Sequence, residues 1–202
     1  MSKARSRNTP RILIIYTGGT IGMVIDDATG ALKPIGFNEI RDNIPEIVKL
    51  GYEVEVHAFN PPMDSSNMHP DVWVELAAII GKNYEDYDGF VILHGSDTMA
   101  FTASALSFLL ENLAKPVVLT GSQLPIGAIR TDAKENIITA LEIAAARKAG
   151  KSLVPEVCIY FDYNLFRGNR CKKYDAERFE AFYSMNYPAL AEAAINIRYQ
   201  RQ

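Results

Sequence analysis

Residues 11–22, RILIIYTGGTIG, impose the strongest constraint on this chain, because an uninterrupted apolar run stops there at two glycines held between threonines. Ile12 to Tyr16 leave no polar face, so the segment is predicted to be a strand covered on both sides, as in a parallel sheet. A tight turn is the plain reading of the TGGT that follows. The reading with chemical content starts from Gly18 and Gly19. Without a Cβ the backbone can turn sharply and approach a ligand closely, presenting Thr20 at the carboxyl edge of the sheet, where open α/β sheets bind ligands. Neither nucleotide-loop spacing, G-x-x-x-x-G-K-[ST] or G-x-G-x-x-G, occurs at this position.

The arrangement recurs along the chain. Buried strands are predicted at 89–93, 117–119 and 157–161; the first two run into His94, Gly95, Ser96 and Asp97 and into Thr120, Gly121, Ser122 and Gln123. Residues 52–59, YEVEVHAF, alternate, which marks a strand with one exposed face that Asn60, Pro61 and Pro62 should stop. Helices are expected over 70–83, 99–113 and 132–148, and a weaker one over 39–50, where Pro45 intervenes. Repeated strand, polar loop and helix predict a doubly wound, mostly parallel α/β sheet with helices on both faces. Residues 23–36 read as a loop long enough to act as a lid. Asp97 and the cluster Asp64, Ser65, Ser66, Asn67 have a plain reading as helix caps and turns. Past Tyr163 the pattern weakens: 167–173, RGNRCKK, is dense in cations, and 174–198 mixes aromatics with a short Ala-rich stretch read as helical.

Composition narrows the class. With 202 residues, 48% hydrophobic and 22% charged, the chain can build one domain with a sizeable core. A formal net charge of -3 gives no footprint for nucleic acid, and the basic cluster Lys3, Arg5 and Arg7 lies in a tail over 1–10. No span reaches the ~20 apolar residues of a membrane helix, and the opening apolar run is too short for a signal peptide. Cys158, Cys171 and the scattered His57, His69 and His94 show no metal-ligand spacing. A reduced, cytoplasmic protein without metal, membrane or nucleic-acid partner is expected.

Strand ends rich in hydroxyls and glycines, with no histidine shared among them, suggest acyl transfer by a threonine or serine. Such a hydroxyl needs a base within hydrogen-bond reach and N–H donors for the tetrahedral oxyanion. A lysine held near a carboxylate can be that base. Ser96, Asp97 and one of the C-terminal lysines could form such a unit.

Five segments in this order, YTGGTIGM, MDSSNM, DGFVILHGSDTMAFTASALSFLLENL, KPVVLTGSQLP and RGNR-x-x-K, resemble the bacterial type I cytoplasmic L-asparaginases over nearly the whole chain. The resemblance implies hydrolysis of L-asparagine to L-aspartate and ammonia without cofactor or metal, in a homo-oligomer, dimer or tetramer, when full length. Position by position it makes Thr20 the nucleophile, assigns Ser96, Asp97 and Lys173 to a second triad, and gives the substrate's α-carboxylate and α-amino groups to Asp64, Ser65 and Ser66, with Asp97 accepting from the ammonium. The family usually has threonine where Ser96 stands, and several members place a tyrosine at the position of Ala31. The resemblance also sets the domain limits: a catalytic N-terminal domain over 11–190, then 191–202 as the start of a linker to a C-terminal domain absent from this chain. In the family a neighbouring subunit's small domain completes the site, so a domain of this kind alone is expected to be ordered but weakly active. Two other readings are an amidase component of a tRNA amidotransferase and a non-catalytic amino-acid-binding module.

Overall fold

The computed structural model describes residues 9–26, 28–30 and 32–200. The first apolar run is β1 (Arg11–Gly18), followed by a hairpin of β2 (Met23–Ile25) and β3 (Leu32–Pro34), a short helix α1 (Phe37–Asn43) and β4 (Glu53–Met63). Next come α2 (Pro70–Asn83), β5 (Gly89–Leu93), α3 (Met99–Leu109), β6 (Val117–Thr120) and α4 (Ala133–Ala145). The remainder is strand: β7 (Arg147–Lys148), β8 (Lys151–Ser152), β9 (Val157–Phe161), β10 (Asn164–Arg167), β11 (Cys171–Lys173), β12 (Phe182–Ser184), β13 (Ala191–Ala193) and β14 (Ile197–Tyr199).

The main sheet has eight strands in the order β14-β13-β10-β9-β6-β5-β1-β4. From β4 to β9 every pairing is parallel, and from β9 to β14 every pairing is antiparallel. Because side chains alternate along a strand, the apolar run of β1 supplies both faces at once. Ile12, Ile14 and Tyr16 pack with Ile40, Ile137 and Leu141 from α1 and α4, whereas Leu13 and Ile15 pack with Leu76 and Ile80 of α2 and Leu106 of α3. Each such side chain contributes on the order of 2 kcal/mol by leaving water. The two-sided apolar run is thus satisfied by a sheet between two helix layers.

The connections fix where a ligand can sit. Helix α1, on the first face, leads from β1 outward to β4; α2 and α3, on the second face, lead in the opposite direction, from β4 to β5 and from β5 to β6. The chain therefore reverses direction around β1, and the crevice beyond the carboxyl ends of β1 and β5 is a topological switch point. Changing both face and direction preserves the hand of a crossover, but α4 returns to the first face while still leading in the second direction, from β6 to β9. That crossover has the opposite hand to the other three, against the roughly 98% preference for one hand.

Several elements differ from expectation. Pro45 splits the helix expected over 39–50: α1 ends at Asn43 and a separate 3-10 turn runs from Pro45 to Leu50. Strand β4 continues through Pro61 and Pro62 to Met63, because those prolines occupy a bulge between the Tyr16–Ala58 and Gly18–Met63 pairs and need not donate to β1. Helix α3 stops at Leu109, with Leu110 extended and Asn112 at a left-handed φ of 55°, and α4 stops at Ala145 before the β7–β8 hairpin. The Ala-rich stretch is strand, since Ala191 and Ala193 are buried while Glu192 between them is exposed, a period of two. The segment read as the start of a linker, 191–202, thus contributes β13 and β14 to the sheet as far as Tyr199. Residues 23–36 carry the β2–β3 hairpin, and Ala31 lies outside the described residues, as do Lys3, Arg5 and Arg7. No helix among the described residues is long and apolar enough to cross a membrane.

Candidate active site

Missing Cβ atoms let three loops at the carboxyl edge close on one another. A Cβ on Gly19 would fall 2.5 Å from the Cα of Gly95, so the loops after β1 and β5 meet backbone to backbone, and one on Gly95 would fall 2.5 Å from the Cβ of Ser65, so the loop after β4 seats a side chain against that glycine. Gly19 also has a φ of 88°, a region open mainly to glycine. The chain leaves it in a 3-10 turn, Thr20–Gly22, that rests on Tyr16. The Tyr16 hydroxyl donates to Gly22 O at 3.2 Å and fills the space a side chain on Gly22 would need. Burial pushes that phenol up to about 12, so it stays protonated and can donate. Thr20 itself is half-buried, and nothing among the described residues hydrogen-bonds to its hydroxyl.

Strand β5 delivers His94 into the interior, where it is 0% exposed. Its Nδ1 lies 2.7 Å from Gly95 O and its Nε2 lies 2.9 Å from Thr102 Oγ1, which also accepts from Trp73 Nε1 at 3.0 Å. A carbonyl only accepts, so Nδ1 carries the hydrogen and Nε2 accepts from Thr102. Burial pushes this imidazole down to about 4, leaving a neutral ring with both nitrogens committed. His94 therefore fixes the Gly95 peptide and has no free nitrogen to act as a base.

Asp97 stands just before α3 without capping it; Thr98 holds the cap position, and its hydroxyl donates instead to Ser65 O at 2.8 Å. The Asp97 carboxylate accepts from Lys173 Nζ at 2.7 Å, and the same ammonium donates to Ser96 Oγ at 2.8 Å. Ser96 passes its own hydrogen to Gln123 Oε1 at 3.3 Å. The group spans a gradient of exposure: the Lys173 side chain is 14% exposed and that of Asp97 70%. Ser96 is buried. Lys173 reaches this position from β11, which pairs antiparallel with β12 outside the main sheet.

Of the residues singled out in the sequence, the structure joins Ser96, Asp97 and Lys173 directly. Ser65 is buried against Gly95, and the Thr20 turn reaches the group through Gly19. Asp64 does cap: its Oδ1 accepts from Ser66 N at 2.8 Å and from Ser66 Oγ at 2.9 Å, which holds its carboxyl below the usual range. Gln123, Asp132 and Asn136 were not singled out, although an Asp and an Asn four residues apart at a helix start share one face and can grip a neighbouring loop. Among the described residues no three His, Cys, Asp or Glu side chains are arranged to hold a metal.

The family model described as "Asparaginase, N-terminal" matches residues 11–202. The chain belongs to the asparaginase family. It is 44% identical over 195 residues to L-asparaginase 1 of Escherichia coli K12, covering 93% of this chain and 54% of that protein. It is 41% identical to the 60 kDa lysophospholipase of Mus musculus, covering 95% of this chain and 37% of that protein. The crystal structure of L-asparaginase I from Vibrio cholerae superposes with a TM-score of 0.82 at 44% identity, covering 95% of this chain and 56% of that one. This asparaginase domain thus spans about half the length of those bacterial relatives or less of the mouse protein.

Proposed function

We propose that this domain carries the catalytic groups of a cytoplasmic, homo-oligomeric L-asparaginase, which hydrolyses the side-chain amide of L-asparagine with Thr20 as nucleophile. The observation that carries the reading is the Lys173 ammonium, bonded at once to the Ser96 hydroxyl and the Asp97 carboxylate beside the Thr20 turn. Thr20 Oγ adds to the amide carbon while its proton passes to a base, and negative charge gathers on the former carbonyl oxygen. The C–N bond then breaks, the nitrogen takes a proton and leaves as ammonia, and Thr20 remains as an aspartyl ester. Water adds to that ester, the C–Oγ bond breaks, Thr20 recovers its proton and L-aspartate departs. In this scheme the Ser96 lone pair and the Asp97 carboxylate hold the Lys173 ammonium as a proton source beside the Thr20 turn. Asp64, Ser65 and Ser66 hold the substrate's α-groups, with the exposed side of Asp97 toward its ammonium, and fixing those charges orients the amide.

The test is ammonia release from L-asparagine by the full-length protein beside its Thr20→Ala variant. Wild type should turn over, and Thr20→Ala should lose at least about a thousandfold in kcat while its dissociation constant for L-aspartate stays within about twofold. Aspartate binding without turnover by the wild type would make the protein an amino-acid-binding module. A Thr20→Ala variant that kept a substantial kcat would move the nucleophile elsewhere, with Ser96 the next candidate.

A further inference from the structure

Asp132 occupies the N-cap position of α4 yet its side chain caps no backbone N–H of that helix, and Thr131 Oγ1 takes the Ala133 N–H instead. Both carboxylate oxygens reach back into the loop after β6: Oδ2 accepts from Gln123 N at 2.9 Å and Oδ1 from Leu124 N at 3.0 Å. One turn further along, Asn136, 1% exposed, donates to Gly121 O at 2.9 Å and to Asp132 Oδ2 at 3.3 Å. The first turn of α4 therefore grips the loop at three backbone positions. This is the helix whose crossover runs against the usual hand, so the local bonds fix a path that the default topology does not.

Gln123, on the gripped loop, spends one end of its amide on the candidate triad and the other on the loop that follows Lys173. Its Oε1 accepts from Ser96, and its Nε2 donates to Arg178 O at 2.8 Å, in the loop joining β11 to β12 beyond Lys173. A threonine in place of Ser96 would have its rotamer restricted by the β-methyl, whereas a serine hydroxyl turns more freely. Without an acceptor on the far side, the Ser96 hydrogen is not held away from the Lys173 ammonium.

Resting on the asparaginase reading, we propose that Asp132 is a positioning residue for Ser96: it fixes Gln123 so that the glutamine amide holds the serine hydroxyl with a lone pair facing Lys173, in the role that a β-methyl plays when threonine stands there. Three variants of the full-length protein, Gln123→Leu, Asp132→Asn and the pair together, test this in the Ser96 and Ser96→Thr backgrounds. The readouts are kcat and KM for L-asparagine below the melting temperature of every variant, and the side-chain amine resonance of Lys173 by NMR.

With Ser96, each single change should lower kcat by roughly tenfold, leave KM within about twofold and move the Lys173 resonance. The double variant should be no worse than the poorer single, because both act through one contact. Ser96→Thr should restore kcat of the variants to within about threefold of its own background and return the resonance. An unchanged kcat in Gln123→Leu, losses that multiply in the double variant, or folded variants that Ser96→Thr does not rescue would each overturn the proposal. If the wild type releases no ammonia, the asparaginase reading fails, and the resonance then decides alone: a shift that Ser96→Thr reverses supports the positioning, and an unmoved resonance refutes it.

Discussion

The loops leaving β4 and β5 flank the end of β1, and each carries an aspartate just ahead of a helical turn; the two carboxylates nonetheless do different things. Asp64 spends its charge two residues away, on the amide and hydroxyl of Ser66. Asp97 leaves its helix uncapped and meets a lysine 76 residues further along the chain. The Asp64 carboxylate closes only its own turn, whereas the β5 loop is fixed from beneath by His94 and from beside by Ser65 and Lys173. A carboxylate satisfied locally maintains a turn. One held for a distant cation keeps a charge-assisted contact at the crevice, where it can serve chemistry.

The largest effect that separates the two loops should come from cutting the long-range contact. Lys173→Met is expected to lower kcat for L-asparagine by on the order of 10²–10⁴. Unfolding free energy from urea melts should change by less than about 1 kcal/mol, because an ion pair whose carboxylate is mostly in water adds little to stability. A large stability loss with kcat retained would make the β5 contact structural, like that of the β4 loop, and the contrast would collapse.

His94 sharpens the contrast from beneath the β5 loop. Its folded-state value of about 4 lies below the ordinary 6.5, so its contribution to stability is complete above pH 6.5 and is lost as pH falls toward 4, when the unfolded chain takes up a proton that the buried ring refuses. Between pH 7 and pH 5 this should cost about 2 kcal/mol in urea melts. His94→Gln should lose that part of the pH dependence. An identical slope in the variant would assign it to other groups.

The smallest expected difference concerns the aspartates themselves. Asp64→Ala removes a cap and should cost about 1 kcal/mol, whereas Asp97→Asn, at an exposed carboxylate, should stay within about 0.5 kcal/mol while lowering kcat. Because the folded Asp64 carboxyl is held low, its contribution is present above the ordinary carboxylate range and lost as pH falls through the lowered value. Melts of wild type and Asp64→Ala should therefore converge in acid. A gap that persisted there would have to come from something other than the charge.

What the sequence determined by itself was everything that a local pattern can force. An apolar run without a polar face, as in β1, β5 and β9, has one stable place, between two helix layers, and the Asp64 turn closes within three residues. Even the Ala191–Ala193 strand carried its period of two, hidden by a composition that also suits helices. The tertiary structure alone decided which aspartates would cap: Asp132 holds the N-cap position of α4 as Asp64 does that of its own turn, Asp97 stands one residue before the Thr98 cap, and both Asp97 and Asp132 were taken by partners on other elements. It also decided that Gln123 would touch Ser96 and that Lys173 would reach the edge of a sheet to which its own strand does not belong. Side-chain periodicity is set within a few residues, whereas a hydrogen bond closing across 76 residues exists only after strand order and crossover hand have placed both ends within 3 Å.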